Sequence, residues 1–208
     1  MSKQIVTSFI GGNYFDKYRS KNPIHRKLMG GFLSSARRML DKIEFDSVLE
    51  VGCGPGDLAA AIVPRHNAYV GIDLDSNQIQ TAQDRYPNLS FAVGSAYNLP
   101  VATKSQDLVI ACEVLEHLED PAEALAEIHR VAKKWVLVSV PREPMWRILN
   151  VARGKYWSSL GNTPGHIQHF SQTAIIQLVA SRLEIVDVGH PFPWTIVLGR
   201  QLTNAESK

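Results

Sequence analysis

The chain has 208 residues, a formal net charge of +2, and 45% apolar and 20% charged residues. This length fits one α/β domain with a sizeable core, and the near-neutral charge gives no reason to expect a nucleic-acid partner. No apolar run reaches membrane-spanning length and no signal peptide opens the chain, so we expect a cytoplasmic protein without a transmembrane segment. The two cysteines, Cys53 and Cys112, lack metal-ligand spacing and form no disulfide framework.

The first 44 residues are predicted to carry helices that cover a binding site. From Ile24 to Leu40, apolar residues recur every four positions, which is the spacing of an amphipathic helix, and Pro23 marks its start. Because this helix precedes the first strand, it can lie across the open edge of a ligand crevice. We therefore expect residues 1–44 to act as a lid.

A glycine-rich turn follows a short apolar strand. Val48–Val51 is predicted as a buried strand, and the chain then turns through Gly52, Gly54 and Gly56. Leu58–Val63 is an Ala-rich stretch typical of a helix. A strand, a glycine turn and a helix in this order predict a site for a nucleotide-like ligand, because a ligand can approach a backbone that lacks Cβ atoms.

The spacing of this turn distinguishes two classes of cofactor. A dinucleotide fingerprint would place its third glycine at position 57, where the chain has Asp57. Glu50 lies two residues before the first glycine, and an acid there suits an ammonium group better than a pyrophosphate. A nicotinamide-dependent oxidoreductase is therefore disfavoured.

The second strand is predicted to end in an acid that binds a sugar. Ala68–Asp73 has the pattern of a strand, and Asp73 follows the glycines by about twenty residues, the distance at which such folds bind ribose hydroxyls. Asp75 and Ser76 already supply an N-cap for the helix predicted over Ser76–Arg85, so Asp73 is not needed as a cap.

Strands and helices continue to alternate, which predicts a doubly wound, Rossmann-like α/β fold with helices on both faces of the sheet. We expect seven strands, mostly parallel, with the last strand antiparallel in a hairpin at the sheet edge. The predicted elements are strands Leu89–Val93, Asp107–Ala111, Trp135–Val140, Leu183–Val188 and Trp194–Leu198, and helices Pro121–Ala132 and Thr173–Ser181.

The segment 141–170 interrupts this alternation and is predicted to bind the substrate. It is long for a connection between a strand and a helix, and such long connections are usually functional. Trp146, Tyr156 and Trp157 offer flat apolar area among several arginines, and Met145–Ala152 is predicted as a short helix. The alternative is that this segment is an amphipathic patch for a membrane or a partner subunit.

Four stretches resemble successive motifs of the class I S-adenosylmethionine (SAM) methyltransferases. They are Val48–Asp57, Gly71–Asp75, Val93–Pro100 and Glu113–Pro121, and they are most similar to the type 11 group, which includes ubiquinone-pathway and secondary-metabolite enzymes. The resemblance is strongest over residues 45–140. It implies that residues 1–208 form a single methyltransferase domain, that residues 45–140 bind SAM, and that residues 171–200 form a C-terminal helix and hairpin.

The resemblance also implies roles for individual residues. Relatives often carry Gly-Asp-Ala after the third strand, whereas this chain has Gly94-Ser95-Ala96, so Ser95 would replace the adenine-binding carboxylate. Tyr14 would close over the methionine carboxylate, and Glu113 would line the cofactor. The remaining residues implied to bind SAM are Glu50, Gly52 and Gly54 at the methionine moiety, Asp73 at the ribose and Leu74 beside the adenine, together with Cys53 and Ala96.

The segment Glu113–His117 has three interpretations. If a helical turn begins at Glu113, then Glu116 and His117 lie on the same face as Glu113. The segment is then a structural turn, or it supplies His117 as a general base, or the three side chains bind a divalent metal as proposed for some ubiquinone-type O-methyltransferases. We take no metal as the working expectation.

Two histidines of the long segment bear on the choice of base. His166 follows Pro-Gly, which predicts a loop tip and makes it a second candidate base, whereas His169 is expected to pack beside Phe170. A hydroxyl nucleophile needs its proton removed, so the candidate catalytic residues are His117 and His166.

No Asn/Asp-Pro-Pro-aromatic motif follows the fourth strand, where relatives that methylate nucleic acids carry one; Cys112-Glu113-Val114-Leu115 stands there. The sequence therefore predicts a SAM-dependent methyltransferase that acts on a small-molecule acceptor, at a hydroxyl oxygen, as a monomer or homodimer. An RNA methyltransferase and a non-catalytic SAM-fold partner protein are the alternatives.

Overall fold

The computed structural model describes residue 18 and residues 20–63, 68–152, 154, 159–163 and 165–202. Strands and helices alternate as expected. The strands are β1 (Ser47–Val51), β2 (Ala68–Asp73), β3 (Ser90–Val93), β4 (Gln106–Cys112), β5 (Ala132–Pro141), β6 (Leu183–Gly189) and β7 (Trp194–Gln201). The helices are α1 (Pro23–Leu40), α2 (Asp57–Ile62), α3 (Ser76–Arg85), α4 (Pro121–Val131), α5 (Met145–Ala152) and α6 (Gln172–Ala180), with a 3-10 turn at Leu115–His117.

The seven strands form one sheet in the order β3-β2-β1-β4-β5-β7-β6. β1 pairs in parallel with β2 and β4, and β7 pairs antiparallel with both β5 and β6. The prediction of a mostly parallel sheet with an antiparallel last strand is confirmed. The hairpin is also present, but β7 lies inside the sheet and β6 forms its edge. Strand order reverses between β1 and β4, and ligands of such sheets bind at the carboxyl ends of the strands at this point.

Both faces of the sheet are covered, which explains why the central strands are almost wholly apolar. One core joins α1, α2 and α3 to the sheet through buried residues such as Phe32, Leu58 and Ile79. The other core joins α4 and α6 through residues such as Leu125 and Ile175. None of the helices in the described part of the chain combines the length and the apolar character of a membrane-spanning segment.

The junction of α4 and β5 differs from the prediction. Asp120 caps α4 by accepting hydrogen bonds from the amides of Ala122 and Glu123, and Ala122 is exposed in the first turn. The helix ends at Val131 and β5 begins at once with Ala132, three residues before the predicted start. Pairing of Ala132 with Gln106 on β4 extends the strand, and this long-range contact leaves no local signal.

Candidate functional site

A cavity of about 770 Å³ lies at the carboxyl ends of the central strands, with α1 and α5 among its walls. All of the predicted site residues except Tyr14 line it, and Tyr14 falls outside the described residues. The predicted residues that line the cavity are Glu50, Gly52, Cys53, Gly54, Asp73, Leu74, Ser95, Ala96, Glu113, His117 and His166.

The glycine turn has a backbone that other residues adopt only at a cost. Gly52, Gly54 and Gly56 have φ values of +69°, +51° and +80°, all in the left-handed region. A Cβ on Gly52 would also clash with a methyl group of Val114. The turn therefore brings the backbone of the loop after β1 directly to the cavity wall.

Asp73 connects the end of β2 to this turn. One carboxylate oxygen accepts a hydrogen bond from the Gly54 amide at 2.8 Å, and the other accepts from the Asp75 amide at 2.9 Å. A carboxylate offers about four acceptor positions, so two backbone bonds leave capacity for further donors in the cavity. Asp75 caps α3 through the Asn77 amide, as the sequence predicted, and Asp73 is free of that task.

Glu50 is a buried acid at the end of β1. Its side chain is 2% exposed, and it accepts a hydrogen bond of 2.6 Å from the hydroxyl of Tyr69 on β2. Burial raises the pKa of the Glu50 carboxyl to about 8, with smaller upward contributions from Asp73 and Asp57, while the Tyr69 bond opposes the rise. An ammonium group beside Glu50 would lower this pKa again, because it stabilises the ionised form.

We expect the binding of a cationic ligand beside Glu50 to release a proton. The free protein holds that proton at pH 7, because the pKa is about 8, and the complex does not. Affinity should therefore rise with pH up to about 8 and then level off. Titration calorimetry with SAM, in buffers of different protonation enthalpy, measures the release.

Glu50→Gln is the control for this prediction. Protons released by the ligand itself are the same with either protein, so the difference between the two proteins reports the Glu50 carboxyl alone. The variant should lose affinity and the proton release. Without ligand, the wild-type protein should lose stability as pH rises from the unfolded-state pKa through about 8, because its folded state binds the extra proton, whereas Glu50→Gln should not. Equal proton release by both proteins would contradict the assignment.

The expected helical turn beginning at Glu113 is wrong. Glu113 has φ +58°, and the 3-10 turn covers Leu115–His117 instead. The Glu113 amide donates to the Ser139 carbonyl at 2.8 Å, which continues the pairing of β4 with β5 for one residue beyond the strand. Glu113 therefore lies at the strand end, and its side chain lines the cavity.

The left-handed backbone of Glu113 predicts opposite effects on stability and binding. A non-glycine residue in this region carries about 1–2 kcal/mol of strain, partly offset in a glycine variant by its larger unfolded-state entropy. Glu113→Gly should therefore be more stable than Glu113→Ala by about 0.5–1 kcal/mol. Both should lose SAM affinity equally, because both remove the carboxylate. Chemical denaturation and calorimetry provide the two measurements. Equal stability of the two variants would argue against strain at this position.

A cluster of Glu116, His117 and His166 lies between the 3-10 turn and the loop after α5. The imidazole rings of the two histidines are 4.9 Å apart, centroid to centroid, in an edge-to-face arrangement. His117 Nδ1 bonds the Gly165 carbonyl at 2.8 Å. A carbonyl only accepts, so Nδ1 carries the proton and Nε2 carries the lone pair. This tautomer leaves Nε2 able to accept a proton or to bind a metal.

The structure changes the set of residues that could hold a metal. One ligand atom from each of Glu116, His117 and His166 lies within 4.8 Å of the others, whereas Glu113 is not part of this group. Two imidazoles and a carboxylate suit zinc, manganese or ferrous iron better than magnesium. Such an ion would polarise a hydroxyl bound to it; we treat it as an alternative to a metal-free base.

The burial of His166 and His169 is the reverse of what we expected from the sequence. His166 is 8% exposed, and its ring stacks on Trp146 with centroids 6.3 Å apart, so it is not at a loop tip. His169 is exposed, and its Nε2 meets the Asn162 side-chain oxygen at 2.9 Å. The Ile167 and Gln168 amides both donate to the Glu116 carbonyl, which draws His166 inwards beside His117.

The end of the cavity away from the glycine turn is aromatic. The Trp146 indole N–H and the Asn150 side-chain amide both donate to the Thr163 hydroxyl oxygen, at 2.8 and 3.0 Å. The Trp146 ring lies 5.9 Å from that of Trp194. Sequence reasoning missed Asn150, Thr163 and Trp194 as site residues. A polar Asn in an apolar helix was the only available signal.

The wall also includes residues of α1 and its approach, namely Tyr18, His25, Leu28 and Met29. Burial and the nearby Glu113 raise the pKa of the Tyr18 hydroxyl, so it stays protonated. Tyr18, which the structure describes, therefore places an aromatic ring beside the acidic side chains of the cavity. Helix α1 therefore forms part of the cavity wall.

Acidic side chains dominate the end of the cavity near the glycine turn. Glu50, Asp57, Asp73, Asp75 and Glu113 line it, and Arg85 is the only lysine or arginine among the described lining residues. Arg85 is itself paired with Asp57 at 2.9 Å, and Tyr86 donates to the same carboxylate at 2.7 Å. This end therefore suits a cationic ligand and disfavours a pyrophosphate.

Comparisons with known proteins agree with this site. Residues 49–138 match the methyltransferase domain of the type 11 family. The chain is 32% identical over 120 residues to a demethylmenaquinone methyltransferase of Chlorobaculum parvum, covering 55% of this chain and 50% of that protein. It is 34% identical over 142 residues to an O-methyltransferase of Aspergillus nomiae, covering 62% of this chain and 60% of that protein.

Solved structures show the same fold at low identity. A magnesium protoporphyrin IX methyltransferase of Synechocystis with bound SAH has a TM-score of 0.68 and 16% identity, covering 90% of this chain and 94% of that one. A Pyrococcus horikoshii protein has a TM-score of 0.72 and 15% identity, covering 91% and 97%. The matched curated relatives are longer, and the chain spans half of the first one's length. Residues 49–138 are thus similar to the SAM-dependent methyltransferases of the type 11 family, and the fold is the one that the solved methyltransferase structures share.

Proposed function

We propose that this protein transfers the methyl group of SAM to a hydroxyl oxygen of a small-molecule acceptor. The observation that carries the proposal is the cluster of acidic side chains beside the glycine turn, with Asp73 bonded to the Gly54 amide. SAM carries an ammonium and a sulfonium, and both positive charges are favoured among carboxylates. The nicotinamide cofactors carry a pyrophosphate, which these carboxylates repel.

Each cofactor role follows from the position of a side chain. Glu50 would bind the ammonium, because it is a buried acid directly before the glycine turn. Asp73 would accept from both ribose hydroxyls with the acceptor positions that the backbone leaves open. Leu74 is 73% exposed at the cavity rim, so its side chain would cover one face of the adenine. The Ser95 hydroxyl also lines this region and would take the place of the usual adenine-binding acid.

Methyl transfer is a displacement in line with the bond from sulfur to carbon, so the protein mainly aligns the two reactants and excludes water. The methyl leaves sulfur with its bonding electrons remaining there, which gives S-adenosylhomocysteine. The acceptor oxygen forms the new bond and its proton passes to an imidazole. His117 Nε2 and His166 are the candidate bases, because their rings are adjacent on the cavity wall.

The aromatic end of the cavity supports an apolar, flat acceptor. Trp146, Trp194 and Leu149 line it, and no lysine, arginine or acid of the described residues lines that end. One similar protein is named a demethylmenaquinone methyltransferase and another an O-methyltransferase. Phenols and quinols combine a flat apolar ring with a hydroxyl oxygen that can accept a methyl group. We therefore rank phenolic compounds first among candidate acceptors.

A screen of candidate acceptors with SAM, followed by mass spectrometry, tests this function. Phenols and quinols should gain one methyl group, and the label from methyl-labelled SAM should appear on oxygen. The Asp73→Ala variant serves as the negative control. Binding of SAM without turnover on any acceptor would favour the non-catalytic partner protein, and methylated RNA in the same assay would favour the RNA methyltransferase.

Trp146 provides a test of the acceptor end. Trp146→Ala should raise the KM for the acceptor about tenfold or more, because it removes a large aromatic contact worth a few kcal/mol, and SAM affinity should change little. Ile148→Ala is a matched control, since Ile148 lies on the same helix, is 56% exposed and does not line the cavity. Unchanged kinetics in Trp146→Ala would contradict the assignment of residues 141–170 as the acceptor-binding segment.

A further inference from the structure

Positive charge is concentrated in two segments of the chain. Residues 17–40 and 141–182 contain twelve of the 22 lysines and arginines but only one of the 20 acids, Glu143. The net charge of +2 hides this asymmetry, because the rest of the chain is acidic. The positive charge is therefore a property of these two segments and not of the whole sequence.

These two segments meet at the cavity. His25, Leu28 and Met29 of α1 line it, and so do Trp146 and Leu149 of α5. The outward faces of the same helices are therefore close to the acceptor end of the cavity. Glu143, the one acid, is half-buried and accepts from the Arg147 backbone amide, so it offsets little of the exposed charge.

Large apolar side chains are exposed on these outward faces. Ile24 on α1 is 65% exposed, and Ile148 on α5 is 56% exposed. Leu160 is 72% exposed, and with Ile148 and Arg147 it borders a shallow groove of about 440 Å³. Lys21, Arg26 and Lys27 near Ile24 are exposed and basic, and the exposed Asn22 and Pro23 between them are uncharged.

We propose that this cap surface, formed by Lys21, Ile24, Arg26, Lys27, Ile148 and Leu160, docks on an anionic lipid bilayer. Basic side chains attract the anionic headgroups, and the isolated apolar side chains enter the boundary between headgroups and acyl chains. In this proposal the inner faces of α1 and α5 bind the acceptor and their outer faces contact lipid. The segment 141–170 was predicted either to bind the substrate or to form an amphipathic membrane patch, and the two functions would then belong to opposite sides of α5.

Two other occupants fit the surface less well. A second copy of this chain would place the same basic face against its own, and the like charges would repel. Nucleic acid binding uses exposed aromatic rings for stacking, whereas Trp146 on α5 faces the cavity, and Tyr156 and Trp157 lie outside the described residues. The combination of positive charge with exposed aliphatic side chains is typical of a lipid surface.

Co-sedimentation of the full chain with lipid vesicles tests this proposal. The protein should pellet with vesicles of phosphatidylcholine mixed with phosphatidylglycerol, should stay in solution with phosphatidylcholine alone, and should dissociate as salt rises. Lys27→Ala should weaken binding about fivefold, and Ile148→Asp should weaken it more. Lys134→Ala and Val186→Asp are matched controls at exposed positions outside the cap, and neither should change binding.

Failure to pellet with anionic vesicles, or equal losses in the control variants, would overturn the proposal. Analytical ultracentrifugation of the wild type and Ile148→Asp tests whether a second copy of the chain binds this surface. If the substitution converted a dimer to a monomer, the surface would be a dimer interface and not a lipid-binding surface. If the wild type bound RNA but not vesicles, and Lys27→Ala lost the RNA binding, the surface would bind RNA and not lipid. SAM titration of each variant checks that it is folded. Vesicle binding needs no turnover, so its result is independent of the methyltransferase assay.

Discussion

Asp73→Ala is expected to lower SAM affinity at least tenfold. The variant would lose the charge-assisted hydrogen bonds that we propose between Asp73 and the ribose hydroxyls, each worth about 1.5–3 kcal/mol. It also releases the Gly54 amide, which the carboxylate holds at 2.8 Å, so the glycine turn loses a contact that shapes the cavity. The fold should survive, because Asp73 lies at a strand end and not in the core. Titration calorimetry measures the affinity.

The control for this variant is Asp120→Ala. Asp120 also accepts two backbone amides, at 3.0 and 2.9 Å, but it caps α4 outside the cavity. Its loss should cost about 1 kcal/mol of stability and leave SAM affinity unchanged. Unchanged affinity in Asp73→Ala would show that the ribose does not bind there.

Loss of His117, one of the two proposed bases, is expected to give the second large effect. His117→Ala should lower kcat about 10²–10⁴-fold on a hydroxyl acceptor, because general-base catalysis contributes that much, and SAM affinity should stay the same. His166→Ala should have a smaller effect if His166 only positions the acceptor. His169→Ala is the matched control, since that ring is exposed and outside the cavity lining.

The same variants distinguish a base from a metal ligand. If Glu116, His117 and His166 hold an ion, a chelator should abolish turnover and added zinc or manganese should restore it. If His117 is a base, full activity should persist in excess chelator. Wild-type activity in His117→Ala and His166→Ala alike would remove both roles and leave the cluster as scaffold.

The cofactor end of the cavity could be predicted from the sequence because each of its residues lies within two residues of a strand end. Glu50 is the last residue but one of β1, Asp73 ends β2, and Ser95 is the second residue after β3, so sequence position alone fixes where they emerge from a parallel sheet. The glycine spacing then distinguished the class of cofactor. Local signals suffice where a residue and its strand end are neighbours in the chain.

The acceptor end could not be predicted in the same way. Thr163 meets Trp146 and Asn150 only because the loop after α5 folds back, and Trp194 joins them from β7. Tyr69 gave no signal either, since its role depends on the hydroxyl reaching Glu50 on the neighbouring strand. The helical spacing read from Glu113 failed because its amide pairs with β5 and continues the sheet.

A crystal structure of the complex with S-adenosylhomocysteine tests the central assignment most directly. We predict the ribose hydroxyls within about 2.7–3.0 Å of the Asp73 carboxylate, the ammonium beside Glu50, and the sulfur on the side of the cavity that faces His117 and His166. A ligand bound outside this cavity, or with its ribose away from Asp73, would contradict the account.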